Sequence, residues 1–340
     1  MQYTDDLIPE HVRTLGHQHP EPLAIGMQGA VFRLGDHRIA KVWFHAPRAE
    51  LERLQNLYAE LQLPFHTPEI LEIHQGPRWL VTIEAELPGR PLHELAPEFG
   101  TTAWHAARDC VIDVLAELAT VPAPTALFAM TVLDEPEPFR RWRSLPPEQV
   151  DGLADELGRD RDPAVTQRWR QSSTAWLDAL SALLTRRVAT YRDQLDRLVD
   201  KFDTKFDCLQ QRLHAIAPAQ ATQLVHGDVT AGNILVDDQL RPISVLDFGL
   251  LSMAGDPVFD AASAAALYAL WSPDTRAIEA DFDAAMIVRL GYDAADLLTY
   301  RAVHALLIGN AHDNDPFDRD SGVPLTAKLL NDPQYTEFLT

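Results

Sequence analysis

Short apolar runs, each closed by glycine or a turn pair, fill the first ninety residues and predict strands. Segments 22–25, 29–34 and 38–44 are rich in apolar and β-branched residues and are divided by glycines or by Gly35-Asp36. Pro47 stands where a helix would begin. From Arg48 the leucines at 51, 54, 57 and 61, with Tyr58, recur at helical spacing, and Pro64 and Pro68 end the pattern. Segments 69–74 and 78–84 predict two more strands, and Leu87-Pro88-Gly89-Arg90-Pro91 reads as a linker.

Beyond the linker the periodicity turns helical. Residues 102–119 form an apolar-periodic helix ended by Pro122 and Pro124. Residues 134–168 are rich in proline, arginine and acids with weak periodicity, an irregular or loosely helical insertion. A long helix is expected from about 173 to 214, broken once, then a compact β segment over 223–247 and helices to the end. The plan is α+β and bilobal: a small β-rich lobe over 1–88 with one main helix, and a larger helical lobe over 89–340 that includes an insertion at 134–200. A ligand cleft is expected between the lobes.

Charge narrows the function. Fifty acidic against 29 basic residues give a formal net charge of −21. That excludes a nucleic-acid partner, which would need Lys and Arg to neutralise phosphates. It suits a cationic ligand, and it equally serves solubility. No apolar run is long enough to span a bilayer, and MQYTDDLIPEHV has neither the basic start nor the apolar stretch of a secretory leader. Cys110 and Cys208 stand far apart in no metal-like spacing, so a cytoplasmic, reduced protein is expected, as monomer or homodimer. Only four of the basic residues are lysine, and Lys41 is the only one in the first 200 positions. A lone lysine inside an apolar strand points to a need for an ammonium.

The chemistry is concentrated in Leu224 to Asp260. His226-Gly227-Asp228 is followed five residues later by Asn233, then by Asp247-Phe248-Gly249. The runs NILV and PISVLD, joined by the polar DDQLR, predict a hairpin that brings Asn233 and Asp247 together at one end. Carboxylate and amide oxygens there suit magnesium, and Asp228 can accept a proton from a hydroxyl attacking phosphorus.

This stretch resembles the kinase catalytic loop H-x-D-x-x-x-x-N followed by D-F-G, in which the Asp is the base and the Asn and the second Asp hold the metal ions. Gly227 replaces the arginine that protein kinases carry, and Gly255-Asp256-Pro257 follows at once, leaving no long activation segment to seat a protein substrate. The combination resembles the aminoglycoside phosphotransferase and choline kinase families, and the likeness is specific only over 224–260. It implies a protein-kinase-like fold and magnesium-dependent transfer of the γ-phosphoryl group of ATP or GTP to a small-molecule hydroxyl. The first-choice acceptor is an aminoglycoside or other cationic antibiotic. A macrolide, a peptide antibiotic, choline or a sugar metabolite stand as alternatives. A nucleotide-binding pseudokinase is the reading from another class, and intact Lys41, Asp228, Asn233 and Asp247 argue against it.

The resemblance assigns Lys41 to the nucleotide phosphates and pairs it with a helix glutamate. Glu50 borders the apolar stripe whereas Glu52 points away, so Glu50 is preferred. Gly26-Met27-Gln28-Gly29 is either a turn over the phosphates or an ordinary hairpin turn. Glu84, Ala85 and Glu86, just before the linker, would offer backbone groups to the purine. Asp256 before Pro257 is expected to cap the following alanine-rich helix, and Asp260 to be a structural partner of the loop, with His226 beside it. Asp281 and Asp283, and Asp313 and Asp315 in an acidic loop lacking the EF-hand spacing, are the candidates to meet a cationic substrate. His17 and His19 lack metal-ligand company and read as solvated.

Overall fold

The computed structural model describes residues 7–16, 19–25, 29–43, 46, 48–75, 79–95, 97–129, 173–217, 223–249, 251–269, 272–309 and 322–340. Alternation builds the first sheet. Strands β1 (Glu21–Ile25), β2 (Gly29–Gly35), β3 (Arg38–Trp43), β4 (Ile70–Gln75) and β5 (Leu80–Ala85) form an antiparallel sheet in the order β1-β2-β3-β5-β4. On one face Ala30, Phe32, Ala40, Val42, Val81 and Ile83 cluster with Val12 of helix α1 (Leu7–Thr14). On the other, Trp43 and Leu80 join Leu51, Leu54, Leu57 and Tyr58 of helix α2 (Arg48–Glu60), the periodic leucine stripe.

The first hairpin turns one residue later than Gly35-Asp36 suggests. Gly35 pairs with Arg38, and Asp36 and His37 both take positive φ, 52° and 57°. Two left-handed central residues give the twist that suits a two-residue hairpin.

Two small sheets follow. Strands β6 (Arg90–Pro91), β8 (Ile234–Val236) and β9 (Pro242–Val245) form one, and β7 (Gln223–Val225) pairs with β10 (Met253–Gly255) in the other. The linker therefore docks on the predicted hairpin. Gly89 has φ 109°, and a Cβ there would meet Ile243 and Leu235 at 2.9 Å. Ser244 Oγ donates to Pro88 O at 2.8 Å, and His66 pairs with the same strand through its N–H to Ile243 O and its carbonyl to Val245 N, both 2.9 Å.

The remaining helices are α3 (Thr102–Leu118), α4 (Thr125–Ala129), α5 (Ser173–Leu198), α6 (Phe202–Ala215), α7 (Val258–Ala269), α8 (Thr275–Leu290), α9 (Ala294–Ile308), α10 (Val323–Leu330) and α11 (Pro333–Phe338). The long helix expected from 173 breaks between α5 and α6, where Lys201 takes φ 53°, and kinks again at Tyr191. Helix α7 is buried on nearly every side, which its small alanines permit, and it packs against α8 and α9. Among the described residues no helix is long and apolar enough to cross a membrane.

Candidate active site

Strand β7 delivers His226-Gly227-Asp228 into a tight loop with no room for a side chain at position 227. Gly227 has φ 80°, and a Cβ there would lie 2.4 Å from the Leu251 carbonyl oxygen. The loop amides are held by one carboxylate: His226 N and Gly227 N each donate to an Asp260 oxygen at 2.7 Å. Burial pushes Asp260 up to about 7, with the nearby Asp228 charge adding to it, although those two hydrogen bonds oppose it. Ser252 ties the loop to the next motif, donating its hydroxyl to His226 O at 2.7 Å and accepting from Gly249 N at 2.8 Å.

His226 is fully buried against Phe248, ring centroids 4.3 Å apart. Its Nδ1 accepts from Asp228 N at 3.2 Å, so its Nε2 carries the proton and donates to Leu246 O at 2.8 Å. Burial pushes the imidazole down to about 4, and the neutral ring acts as a spacer between the two loops.

Asp228 lies between desolvation and two neighbours. Asn233 Nδ2 donates to its carbonyl at 2.9 Å and to its Oδ2 at 3.1 Å. Burial, helped by the nearby Asp247 charge, raises the carboxyl to about 6, and the Asn233 hydrogen bond pulls the other way. A base near that value is ionised at neutral pH yet keeps useful proton affinity. The hairpin does bring Asn233 and Asp247 to one end, with Leu246 N donating to Asn233 O at 2.8 Å.

Asp247 sits at φ 61°, in the left-handed region that residues other than glycine rarely adopt. Lys41 Nζ, from β3, donates to its Oδ1 at 2.7 Å and stands 4.1 Å from the centre of the Trp43 ring. Burial works to raise Asp247, but the Lys41 ammonium, by charge and hydrogen bond, outweighs it and draws the carboxyl below the usual range. Tyr58 of α2 reaches over to donate to Phe248 O at 3.4 Å. This ion pair and this long hydrogen bond add to the His66 and Pro88 contacts that join the small lobe to the segment carrying Asp228 and Asp247.

The donor set fits magnesium. With Asn233 Nδ2 committed to Asp228, its Oδ1 is the amide atom left for a cation, beside the Asp247 carboxylate. Among the described residues no group of three or more His, Cys, Asp or Glu forms a metal cage. A two-oxygen site completed by phosphate and water is the arrangement magnesium prefers.

Other expected site residues are placed as follows. Gly29 opens β2 opposite Trp43, and its missing side chain lets the Val42 carbonyl approach: a Cβ would lie 2.1 Å from that oxygen. Glu50 lies in the first turn of α2, and Glu52 accepts from Arg48 Nε at 2.9 Å. Among the described residues the ion-pair partner of Lys41 is Asp247, not Glu50. The amides of Ala85 and Glu86 donate to Glu69 O and His37 O, and Glu86 Oε1 accepts from Arg33 Nε at 2.7 Å. Asp256 accepts from Val258 N at 3.1 Å, as a cap would, and from the Tyr300 hydroxyl at 2.9 Å.

Asp281 takes both oxygens to Arg108 Nη1 at 2.9 Å and accepts from the Trp104 indole at 3.0 Å. Asp283 is paired with the buried Arg301. These two carboxylates brace α3, α8 and α9, and a cationic substrate would have to displace a guanidinium to reach them. Gly26, Asp313 and Asp315 lie outside the described residues. Thr82, Ser252 and Tyr300 form no motif in the sequence, and only cross-strand register and helix packing reveal them.

A family model described as the phosphotransferase enzyme family matches residues 20–307. Among curated proteins no sequence matches this chain. Of solved structures, a thermostable mutant of aminoglycoside phosphotransferase APH(4)-Ia, in ternary complex with ADP and hygromycin B, is similar at 19% identity over 94% of each chain, with TM-score 0.62. The gentamicin complex of APH(2")-IIa is similar at 16% identity over the whole of both chains, with TM-score 0.54. At such identities the likeness is one of fold.

Proposed function

The chain belongs to the phosphotransferase enzyme family, and from that premise we propose that it transfers the γ-phosphoryl group of ATP or GTP to a hydroxyl of an aminoglycoside. The observation that carries the reading is the geometry around Asp228, a half-buried carboxylate held by Asn233 beside the Asp247–Lys41 pair. Asp228 orients the acceptor hydroxyl and takes its proton as the oxygen attacks phosphorus. Asn233 and Asp247 would hold magnesium, which when bound would supply positive charge against the phosphates. Lys41 steadies the α- and β-phosphates, and the buried loop around His226 keeps Asp228 in place. Little covalent chemistry falls to the protein, so rate comes from position and charge.

The aminoglycoside reading is supported by the net charge of −21, which concentrates a polycation. It is also supported by the antibiotics bound in the structures of similar fold. Nucleotide turnover with magnesium and ATP or GTP, across aminoglycosides, peptide antibiotics, macrolides, choline and sugars, tests both parts. Turnover with an aminoglycoside that Asp228→Asn reduces at least about a hundredfold is the expected result. Turnover with another acceptor alone would replace the substrate and keep the reaction; absence of nucleotide binding would remove the reaction.

A further inference from the structure

Beside Lys41, strand β5 turns two polar side chains into the interior. Lys41 stands opposite Thr82 in the antiparallel register, and Glu84, two residues on, shares their face. Both Thr82 and Glu84 are buried. The Trp43 indole donates to Thr82 Oγ1 at 3.0 Å, and the Thr82 hydroxyl donates to Glu84 Oε1 at 2.5 Å. With the Lys41 ammonium over the Trp43 ring, indole, hydroxyl, carboxyl and ammonium form one patch.

A buried carboxyl is unfavourable without a counter-charge. Burial pushes Glu84 up, and Lys41 is the cation that draws it back, with Thr82 assisting and Asp247 opposing. Glu84 and Lys41 are not in direct contact, because Lys41 is turned to Asp247.

We propose that Glu84 is the positioning carboxylate of Lys41 in the nucleotide-loaded enzyme, in the part that the sequence gives to Glu50. The inference rests on the phosphotransfer reading above. A magnesium ion held by Asp247 would compete with the Lys41 ammonium for its oxygens. An ammonium has three donors and no acceptor, so phosphate oxygens can take some and a carboxylate on the same sheet face can take another. Glu84 is a carboxylate of that face within β5, already fixed by Thr82. A head group held from two sides meets the phosphates in one orientation.

The test compares wild type, Glu84→Gln, Lys41→Met and the double variant by calorimetric binding of Mg·ATP and Mg·GTP, by melting, and by turnover. Glutamine keeps an acceptor for Thr82 and removes the charge. Expected are an unchanged or raised melting temperature, nucleotide affinity and kcat/KM lower by about 10- to 100-fold as for other residues that orient a ligand, and no added loss of affinity in the Lys41→Met background. Equal losses in both backgrounds would mean a merely structural role and overturn the inference. So would wild-type affinity in Glu84→Gln, or loss in Glu50→Gln alone. If Glu84→Gln does not fold, Glu84→Asp withdraws the charge by one methylene: weaker binding with intact melting supports the inference, and unchanged binding overturns it. Failure of the wild type to bind either nucleotide is a separate outcome, which removes the phosphotransfer reading and this one with it.

Discussion

Asp228 is where the smallest change has the largest effect. Its carboxyl, raised to about 6 by burial and by Asp247, must be ionised to accept a proton. Activity is therefore lost as pH falls through that value, and kcat/KM should drop about tenfold per unit on the acid side. A pH profile of kcat/KM with a limb near the ordinary carboxylate value of about 4 would mean that burial does not set the base. That Asp228, Asn233 and Asp247 come together is legible in the sequence because all three lie within a single loop and hairpin, at spacings the backbone fixes. The partner of Lys41 is not. Asp247 lies 206 residues away, and no local pattern of α2 records that the ammonium turns to it and not to Glu50. The Thr82–Glu84 pair is hidden for a similar reason: two polar residues alternating with Val81 and Ile83 read as a half-exposed strand, whereas both faces of β5 are covered.

Elements add a second layer, in which loops are held by helices. The catalytic loop hangs from Asp260 in the first turn of α7 by two hydrogen bonds. Asp260→Ala would leave two buried amides without partners, a loss of about 1–3 kcal/mol each. Urea denaturation should show destabilisation of about 2–6 kcal/mol, with turnover falling as the loop loosens. Gly227→Ala meets the Leu251 carbonyl at 2.4 Å and an unfavourable φ of 80°. It should lower stability by roughly 2–4 kcal/mol, and a neutral result would show that the loop can relax. Strand and helix limits are legible to within a residue or two wherever alternation or a leucine stripe is strong, as in β2, β3 and α2. The first hairpin is misplaced by one residue because Gly35 looks like a turn centre, while the left-handed positions fall on Asp36 and His37. Asp281 and Asp283 look open in sequence, and only packing of α8 against α3 and α9 supplies Arg108 and Arg301 as partners.

Across the whole molecule, buried carboxyls set the response to pH. Asp260 is raised to about 7, and Asp228 and Asp256 to about 6, all chiefly by burial. Each binds its proton more tightly when folded, so its contribution is full below the ordinary carboxylate range and is lost as pH rises through 6 to 7. His226 and His304, depressed by burial to about 4, act in the opposite sense and withdraw stability only as pH falls from about 6.5. Between pH 6 and 8 the two effects oppose each other, and Asp260 makes the largest single carboxyl contribution. The melting temperature of Asp260→Asn should therefore rise with pH relative to that of the wild type over this interval, and a difference that does not change with pH would mean that Asp260 does not titrate there. The bilobal plan is legible from the change of periodicity at the linker, whereas the way the lobes are fastened is not, since it depends on pairings between segments distant in sequence.

That fastening has a mechanical consequence. A bilobal enzyme joined by a single strand can swing like a door, but here residues 88–91 and His66 are both sewn to the hairpin that carries Asn233, with Gly89 wedged against Leu235 and Ile243. The seam has two lines of stitching, so bending at one is resisted by the other. Rotation of one half against the other would shear backbone hydrogen bonds that adjoin the reaction centre. Such a frame resists that rotation, and its adjustments on taking up ligand fall to side chains. The radius of gyration in solution should accordingly be the same with and without bound nucleotide.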